Sequence, residues 1–445
     1  MYIVGGGKLI TLSESVPYFE NGAVVCDGEL VIDIGTTESM LDAYKTAEFI
    51  DVKGAYILPG FVDMHAHSRN IALSAGILPR FHADERYRTL KNCLWALEGG
   101  VDHSDASALL YAFAARAIKN GVTSVFEMHS LPCDPSGSLY SAASIIRECG
   151  LRACIGYDIS ERFGARKAAL SIRENSEFIE FCSGLSIDTL KPAFGINSLL
   201  ELGDEMLDAC IKANHTRTRL IAHIGETPEE HLFSLRKHGK TPVQRLFDKG
   251  AVNPDSVFLC GPFTLKEELE LIIENDCFAV ISPIMASLLN SSYSAEFEKY
   301  ASCGVIFLSS DGLTDSLLEN ARAAAFQFSV GAESSSNILI SAVKMLFQAN
   351  PAAASRVFGH KLGVIEPGAA ADVIALRPSL TQPFVSKEQL LGSLIWTGAA
   401  CEFTMVNGRI LMRDGKLSEL DEKRISADFS AALMKLQAVM RYDDR

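Results

Sequence analysis

Two histidines stand two positions apart, His65 and His67, in the run LPGFVDMHAHS directly after a Pro-Gly turn. On a β-strand, residues i and i+2 share a face, so both imidazoles can address one ion. Further along, LIAHIGET carries His223 and, three residues later, Glu226, while GVIFLSSDGL carries Asp311. If the three segments are strands of one closed parallel barrel, their C-terminal ends meet at its mouth. Three or four nitrogen and oxygen ligands with one open position form a catalytic rather than a structural zinc site. Water at that position loses a proton near neutral pH and becomes a nucleophile. Glu226 is then placed to carry the proton to a leaving group. An isolated HxH is often accidental, and Asp311-Gly312 also suits a plain turn. The expectation rests on four such residues falling at strand ends.

The elements that must position them follow from hydrophobic texture. Strand-like runs occur near 57–64, 121–127, 150–157, 188–197, 218–224, 256–260, 277–283 and 304–310, and most precede an amphipathic helical stretch, as at 265–273 and 315–327. Eight β-then-α units predict an α/β fold, a closed (β/α)8 TIM barrel, with a helical insertion around 84–98. A doubly wound open sheet is the alternative, but no dinucleotide fingerprint is present. Short β-prone runs at 2–4, 8–12, 23–26 and 30–34 are punctuated by Gly5-Gly6-Gly7, Asn21-Gly22 and Asp27-Gly28. The same texture returns at 372–376, 395–396, 403–406 and 409–412, with Asn407-Gly408. Neither end alone can build a core, so both are expected to form one small β-sandwich domain. The expected divisions are 1–56 and 362–417 for the two parts of the sandwich, 57–361 for the barrel and 418–445 for a C-terminal helical segment, its helix over 425–439.

Composition narrows the function classes. Lys plus Arg is 41 against 55 for Asp plus Glu, a net charge of -14, which opposes nucleic acid and anionic membrane surfaces as partners. The longest apolar stretch, 278–289, is broken by Pro283 and too short to span a bilayer. The N-terminus has none of the marks of a signal peptide. Eleven cysteines are scattered singly without a CxxC pair and read as reduced, mostly buried hydrophobes. The expectation is a cytoplasmic enzyme acting on a small molecule, with a homodimer as the default assembly.

LPGFVDMHAH, HIGET, SSDG and the later GVIEPGAAADVIAL resemble the amidohydrolase superfamily, in particular its aminohydrolase (deaminase) branch. GVTSVFEMHSLP followed by GSLYSAASIIRECGLRACIGYDISERFG is similar to the SsnA-type aminohydrolases. The resemblance spans residues 50 to 415. It implies one divalent metal at His65, His67, His223 and Asp311; the set suits zinc and iron alike, with zinc preferred. It also implies a hydrolase of carbon–nitrogen bonds other than peptide bonds, which removes ammonia from a purine-, pterin- or pyrimidine-like ring with Glu226 as proton shuttle and Asp311 beside it.

The chain departs from that pattern. Where the branch places a histidine after the sixth strand, SVFLCGPFTL offers Cys260; after the fourth, AFGINSLLEL offers Asn197; the seventh-strand motif reads ISPIMASLLN, with Ser282 and Pro283. A thiol is a weak donor where an imidazole is a firm one, and losing one preorganised donor to a developing oxyanion costs about 10²–10³ in rate. Asn197, Cys260 and His129 are therefore the candidate substrate-binding residues. Cys260 as a metal thiolate and Cys260 as an inert buried residue both remain open. So do a degenerate relative that binds with little or no turnover, and a hydrolase of a cyclic amide or a carbon–halogen bond. Pocket specificity in such barrels comes from the βα loops, whose residues here are expected to include Arg80, Phe81, His82, Glu127 and Glu161.

Other signals are set aside. VGGGKLIT lacks the Ser or Thr of a phosphate loop. HIGETPEEH has the wrong spacing for a zinc protease, leaving His231 and His238 as ordinary helix residues. Pro132-Cys133 lacks the second cysteine of the smaller zinc deaminases. Lys191 lies too early in its strand for a metal-bridging lysine.

Overall fold

The computed structural model describes residues 1–16, 18–75, 94–185, 187–314, 316–330, 338–380, 383 and 386–442. Eight parallel strands ring the centre: Phe61–Ala66, Val122–His129, Arg152–Tyr157, Leu190–Pro192 resuming as Phe194–Ser198, Leu220–Ile224, Val257–Cys260, Phe278–Ile281 and Ile306–Leu308. They are called the first to eighth barrel strands below. Their ladders form a four-stranded and a five-stranded arc, and the arcs meet within the fourth strand. Its first half pairs with the third strand and its second half with the fifth. An isolated bridge between Ile159 and Ile196 spans the break. Gly195 permits that approach, since a Cβ there would lie 2.2 Å from the Tyr157 carbonyl oxygen.

The other seam, between the eighth and first strands, is stitched by a side chain. Asn350 donates through Nδ2 to the carbonyls of Val62 and Leu308, both at 2.8 Å, and accepts from the Leu308 amide at 2.8 Å. These are the donors and acceptors that a ladder would otherwise occupy, so the buried backbone there is satisfied.

Alternation along the strands sorts the core into two layers. Val62, Met64, Phe126, Met128, Ile221, Val257, Leu259 and Val280 pack inside the barrel. Val125, Ala153, Ala222, Ile224, Phe258, Cys260 and Ala279 instead join the layer shared with the helices. Which layer a residue enters is fixed by strand register, and that decides below which side chains reach the mouth.

The run 57–64 divides at Gly60. Tyr56–Pro59 pairs antiparallel with Val373–Leu376 and so belongs to the terminal sheet, while Phe61 begins the barrel. A Cβ on Gly60 would meet Thr123 Cγ2 at 2.1 Å, so the hand-over between the two sheets requires glycine. Both chain ends supply the nine strands of that sheet, around a core of Val4, Leu9, Val24, Val373, Phe403 and Met405. The pair 395–396 is not a strand; it lies in the helix Lys387–Thr397. Asn21-Gly22 is not a turn, for it lies inside the strand Tyr18–Asp27. The last helix is Glu422–Tyr442, and Lys435 anchors it to Asp105 at 2.6 Å.

Of the insertion expected at 84–98, residues 84–93 fall outside the described residues, and Ala96–Gly100 is helical. Of the helix expected at 315–327, residue 315 falls outside and Leu317–Ser329 is helical. Ten cysteines are described, all unpaired and six of them buried. Among the described residues, no helix is long and apolar enough to cross a membrane.

Candidate metal centre

His65 and His67 leave the end of the first barrel strand and His223 the fifth, and the register that puts Ile221 inside the barrel puts His223 there too. One ligand atom from each of the three lies within 4.8 Å of the others. Nε2 of His67 is 3.1 Å from Nε2 of His223, and their rings stack at 5.1 Å with 7° between planes. The His65 ring meets both edge-on at 4.8 and 4.9 Å.

His67 donates its Nδ1 proton to the Met128 carbonyl at 2.8 Å. That bond fixes the tautomer and leaves the Nε2 lone pair facing the cluster. All three rings are held neutral. Burial first, then the neighbouring charges of Arg69 and the other imidazoles, keep His65 and His67 well below the usual histidine value. Burial, with Arg69 and Arg162, brings His223 down to about 3. Neutral imidazole is the form that binds a metal. Both ring nitrogens of His65 and Nδ1 of His223 are buried without a hydrogen-bond partner. Unmet polar atoms of this kind cost about 1–3 kcal/mol each, and a divalent cation satisfies the lone pairs aimed at one point. The donor set fits the metal.

Asp311 lines the same pocket as His67, His223 and Glu226, although its carboxylate stands outside the three-histidine group. Its backbone is left-handed, with φ 56°, and Gly312 follows at 72°. A non-glycine residue pays about 1–2 kcal/mol for that conformation. The Asp311 amide donates to the His65 carbonyl at 3.1 Å, and Asn70 Nδ2 donates to the Asp311 carbonyl at 2.9 Å and to Oδ1 at 3.3 Å. A Cβ on Gly312 would strike the His67 carbonyl oxygen at 2.1 Å. The Asp-Gly pair is thus a turn and also part of the mouth. Burial, reinforced by Asp63 and opposed by Arg69, pushes the Asp311 carboxyl up to about 8.

Glu226 follows the turn at Gly225, whose φ is 64° and whose amide donates to Glu230 Oε2 at 2.6 Å. Desolvation, with Glu230 and Asp311 nearby, holds the Glu226 carboxyl well above the ordinary range. Desolvation combined with like charge in a cleft is the usual way to keep a carboxylic acid protonated near neutrality.

A belt of buried charge borders these residues. Arg69 Nη2 is 3.2 Å from Asp158; Arg162 reaches Glu98 at 2.6 Å and Glu201 at 2.8 Å. The Arg162 guanidinium lies 5.3 Å from the Trp95 ring and 5.6 Å from the Phe163 ring. Arg69, Arg162, Trp95 and Met285 all line the pocket.

The amidohydrolase family model matches residues 56–411, most of the chain. The chain belongs to the amidohydrolase family. A 5'-deoxyadenosine deaminase of Methanothermobacter thermautotrophicus is 26% identical to it, over 93% of this chain and 95% of that one. An adenosine deaminase from Xanthomonas campestris, solved with bound zinc, superposes with a TM-score of 0.81 at 18% identity, covering 98% of each chain. The atrazine chlorohydrolase of Arthrobacter aurescens, solved with zinc, gives a TM-score of 0.79 at 18% identity over 97% of this chain and all of the other. These two likenesses show the (β/α)8 barrel with its terminal β-sheet domain.

In this amidohydrolase the substitutes for the branch's histidines do not all reach the mouth. Cys260 does not: it alternates with Leu259, so it enters the layer between strands and helices, where its thiol contacts the Phe258 carbonyl at 3.4 Å. Burial pushes that thiol well above its ordinary value, the opposite of what a metal thiolate needs. Asn197 does line the pocket, but its amide is committed, donating to Asp158 at 2.8 and 3.0 Å while its oxygen accepts from the Ser198 amide at 2.8 Å. His129 lines a separate small cavity with His103 and Leu131 and packs edge-on to Tyr157; burial first, then Arg69, lowers it to about 3.

Pro283 starts a short helix that brings Met285 to the pocket. Glu161 accepts from the Gly203 amide at 2.6 Å. Lys191 sits in the N-terminal half of the fourth strand. Arg80, Phe81 and His82 lie outside the described residues. Asp63, Arg69, Asp158, Arg162 and Glu201 also belong to the site or its border, although no spacing in the sequence marks them. The available signal was position, since Arg69 follows the first strand and Asp158 the third.

Proposed function

We propose that this amidohydrolase is a metal-dependent aminohydrolase that removes ammonia from a small, amino-substituted, purine-like heterocycle. The observation that carries the reading is the meeting of three buried imidazoles at one point, two of them lining a pocket with Glu226, whose carboxyl is held above its ordinary range by burial. His65, His67 and His223, with Asp311 beside them, would hold one divalent ion. Zinc is the ion we expect, as in the two solved structures named above. When bound, such an ion polarises its ligands and makes water a competent nucleophile near neutral pH.

The chain's own residues do the rest. Glu226 holds a proton at its carboxyl and passes it to the ring or to the departing amino group, a role worth about 10²–10⁴ in rate. In balance, water adds its oxygen to the amino-bearing carbon, the carbon–nitrogen bond breaks, and ammonia leaves with a carbonyl in its place. Trp95, Leu94 and Met285 give the pocket apolar walls that suit a flat ring and exclude water. Arg69 and Arg162, fixed by Asp158, Glu98 and Glu201, line the same pocket and place positive charge beside the ring.

The test is ammonia release from a panel of aminopurines, adenine nucleosides, aminopterins and aminopyrimidines, using protein loaded with zinc or with iron. Release from at least one purine-like compound, abolished together with metal binding in His223→Ala, supports the reading. Stoichiometric metal with no release from any compound overturns it in favour of a binding protein. A specific observation favours that second reading: neither Cys260 nor Asn197 offers the substrate a free donor.

A further inference from the structure

The first barrel strand is irregular exactly where its histidines sit. Asp63 pairs with Val125 and Ala66 with Glu127, so three steps on the first strand answer two on the second, a bulge that includes His65. A bulge re-aims side chains and leaves ladder amides unpaired. Two buried carboxylates, 2% and 1% exposed, take up amides within it and just beyond it.

Glu127, opposite Ala66, accepts from the Ser68 amide at 3.1 Å with each oxygen and from Ser68 Oγ at 2.7 Å. Asp63 accepts from the His65 amide at 3.4 Å and from the Ser310 amide at 2.9 Å, and its other oxygen accepts from Ser310 Oγ. Ser310 Oγ in turn accepts from the Gly312 amide at 3.0 Å. One carboxylate therefore holds the chain just after His67, and the other ties the start of the bulge to the turn that carries Asp311. Among the described residues, neither is hydrogen-bonded to an imidazole of the cluster.

We propose that Asp63 and Glu127 are positioning residues that hold the bulged strand, and through it the spacing of His65, His67 and Asp311, for the metal. The inference rests on the metal site proposed above. With the carboxylates removed, the freed amides would relax the bulge towards regular pairing, and the imidazoles would lose their common focus.

The experiment measures Zn²⁺ affinity of the full chain by equilibrium competition with a chelating dye, for native protein, Glu127→Gln, Glu127→Leu, Asp63→Asn and the remote control Glu268→Gln. Supporting partners of metal ligands typically contribute 10–100-fold in affinity. The expected result is weakening of about tenfold or more in Glu127→Gln and Asp63→Asn, more in Glu127→Leu, and none in Glu268→Gln. A merely structural role would lower the melting temperature of the three Asp63 and Glu127 variants and leave the affinity of the folded protein unchanged, and that result overturns the proposal. If the carboxylate variants do not fold, Ser68→Ala and Ser310→Ala, which each remove one hydroxyl donor, take their place with the same two outcomes. Native protein that binds no Zn²⁺ overturns the metal-site reading itself and the proposal with it.

Discussion

Among the described residues no hydrogen bond anchors Glu226 as those to Ser68 and Ser310 anchor Glu127 and Asp63, and its pKa is raised by desolvation and like charge. That is the environment of a group meant to exchange a proton rather than hold a strand. Glu226→Gln keeps the shape and removes the exchange, so kcat is expected to fall by about 10²–10⁴ with KM and bound metal little changed. Retained kcat would sink the shuttle role. His65, His67, His223 and Glu226 were legible because imidazoles two apart on a strand, and a carboxylate just after one, need only strand identity to be placed. Whether Cys260 faces the mouth or lies inert in the packed layer stays open in the sequence because its direction depends on register, and a one-residue difference sends a side chain to the other face. Arg69 and Arg162 went unnoticed because a charged residue in a loop reads as solvated until a partner from another loop is seen.

Register at the element scale gives Cys260 its own prediction. Replacing it by histidine does not restore a donor to the mouth; it drives a larger polar ring into the packed layer beside Phe258. Overpacking of this kind costs about 1–3 kcal/mol, so Cys260→His is expected to unfold at lower denaturant and gain no rate. A gain in ammonia release would show that the side chain reaches substrate after all.

The helices Pro228–His238 and Lys266–Glu274 are joined by His231 Nε2 and Glu268 at 2.6 Å. Burial opposes the charge on His231, but the bond to Glu268, its charge and that of Glu230 raise the histidine above its ordinary value of 6.5. Burial likewise opposes the charge on Glu268, and His231 with two backbone amides lowers it below 4.5. A raised histidine stabilises fully below its unfolded value and loses that contribution as pH rises through the folded one; a lowered glutamate stabilises fully above its unfolded value and loses it as pH falls. Both are whole between pH 4.5 and 6.5. The stability gap between native protein and Glu268→Gln, from urea titrations at several pH values, is therefore expected to be widest in that window. A gap that does not change with pH would mean that the pair is uncharged.

On the scale of the whole molecule, the sequence shows that both ends build one sheet, because β-prone runs recur at both termini and neither could bury a core alone. It does not show how that sheet is bound to the barrel. The clamp is Arg152, fully buried on the third barrel strand, with Nη2 3.1 Å from Asp372 and 3.3 Å from Asn407. Asp372 also accepts from the Asn407 amide at 2.8 Å, which holds the Asn407-Gly408 turn of the terminal sheet. An arginine in a strand reads as exposed, so only the fold reveals its partner.

Removing one member of a buried pair strands the other's charge at a cost of about 3–5 kcal/mol, whereas replacing both by apolar groups of similar volume is often neutral. Asp372→Leu alone is therefore expected to be severely destabilised, and Arg152→Met with Asp372→Leu to recover much of the loss. The second change should leave the metal centre intact, because Arg152 starts its strand at the end away from the mouth. Urea unfolding of the four members of this cycle, with Zn²⁺ affinity of each, decides the matter. If the double variant is no better than the single one, the clamp acts through its hydrogen bonds to the turn rather than through charge.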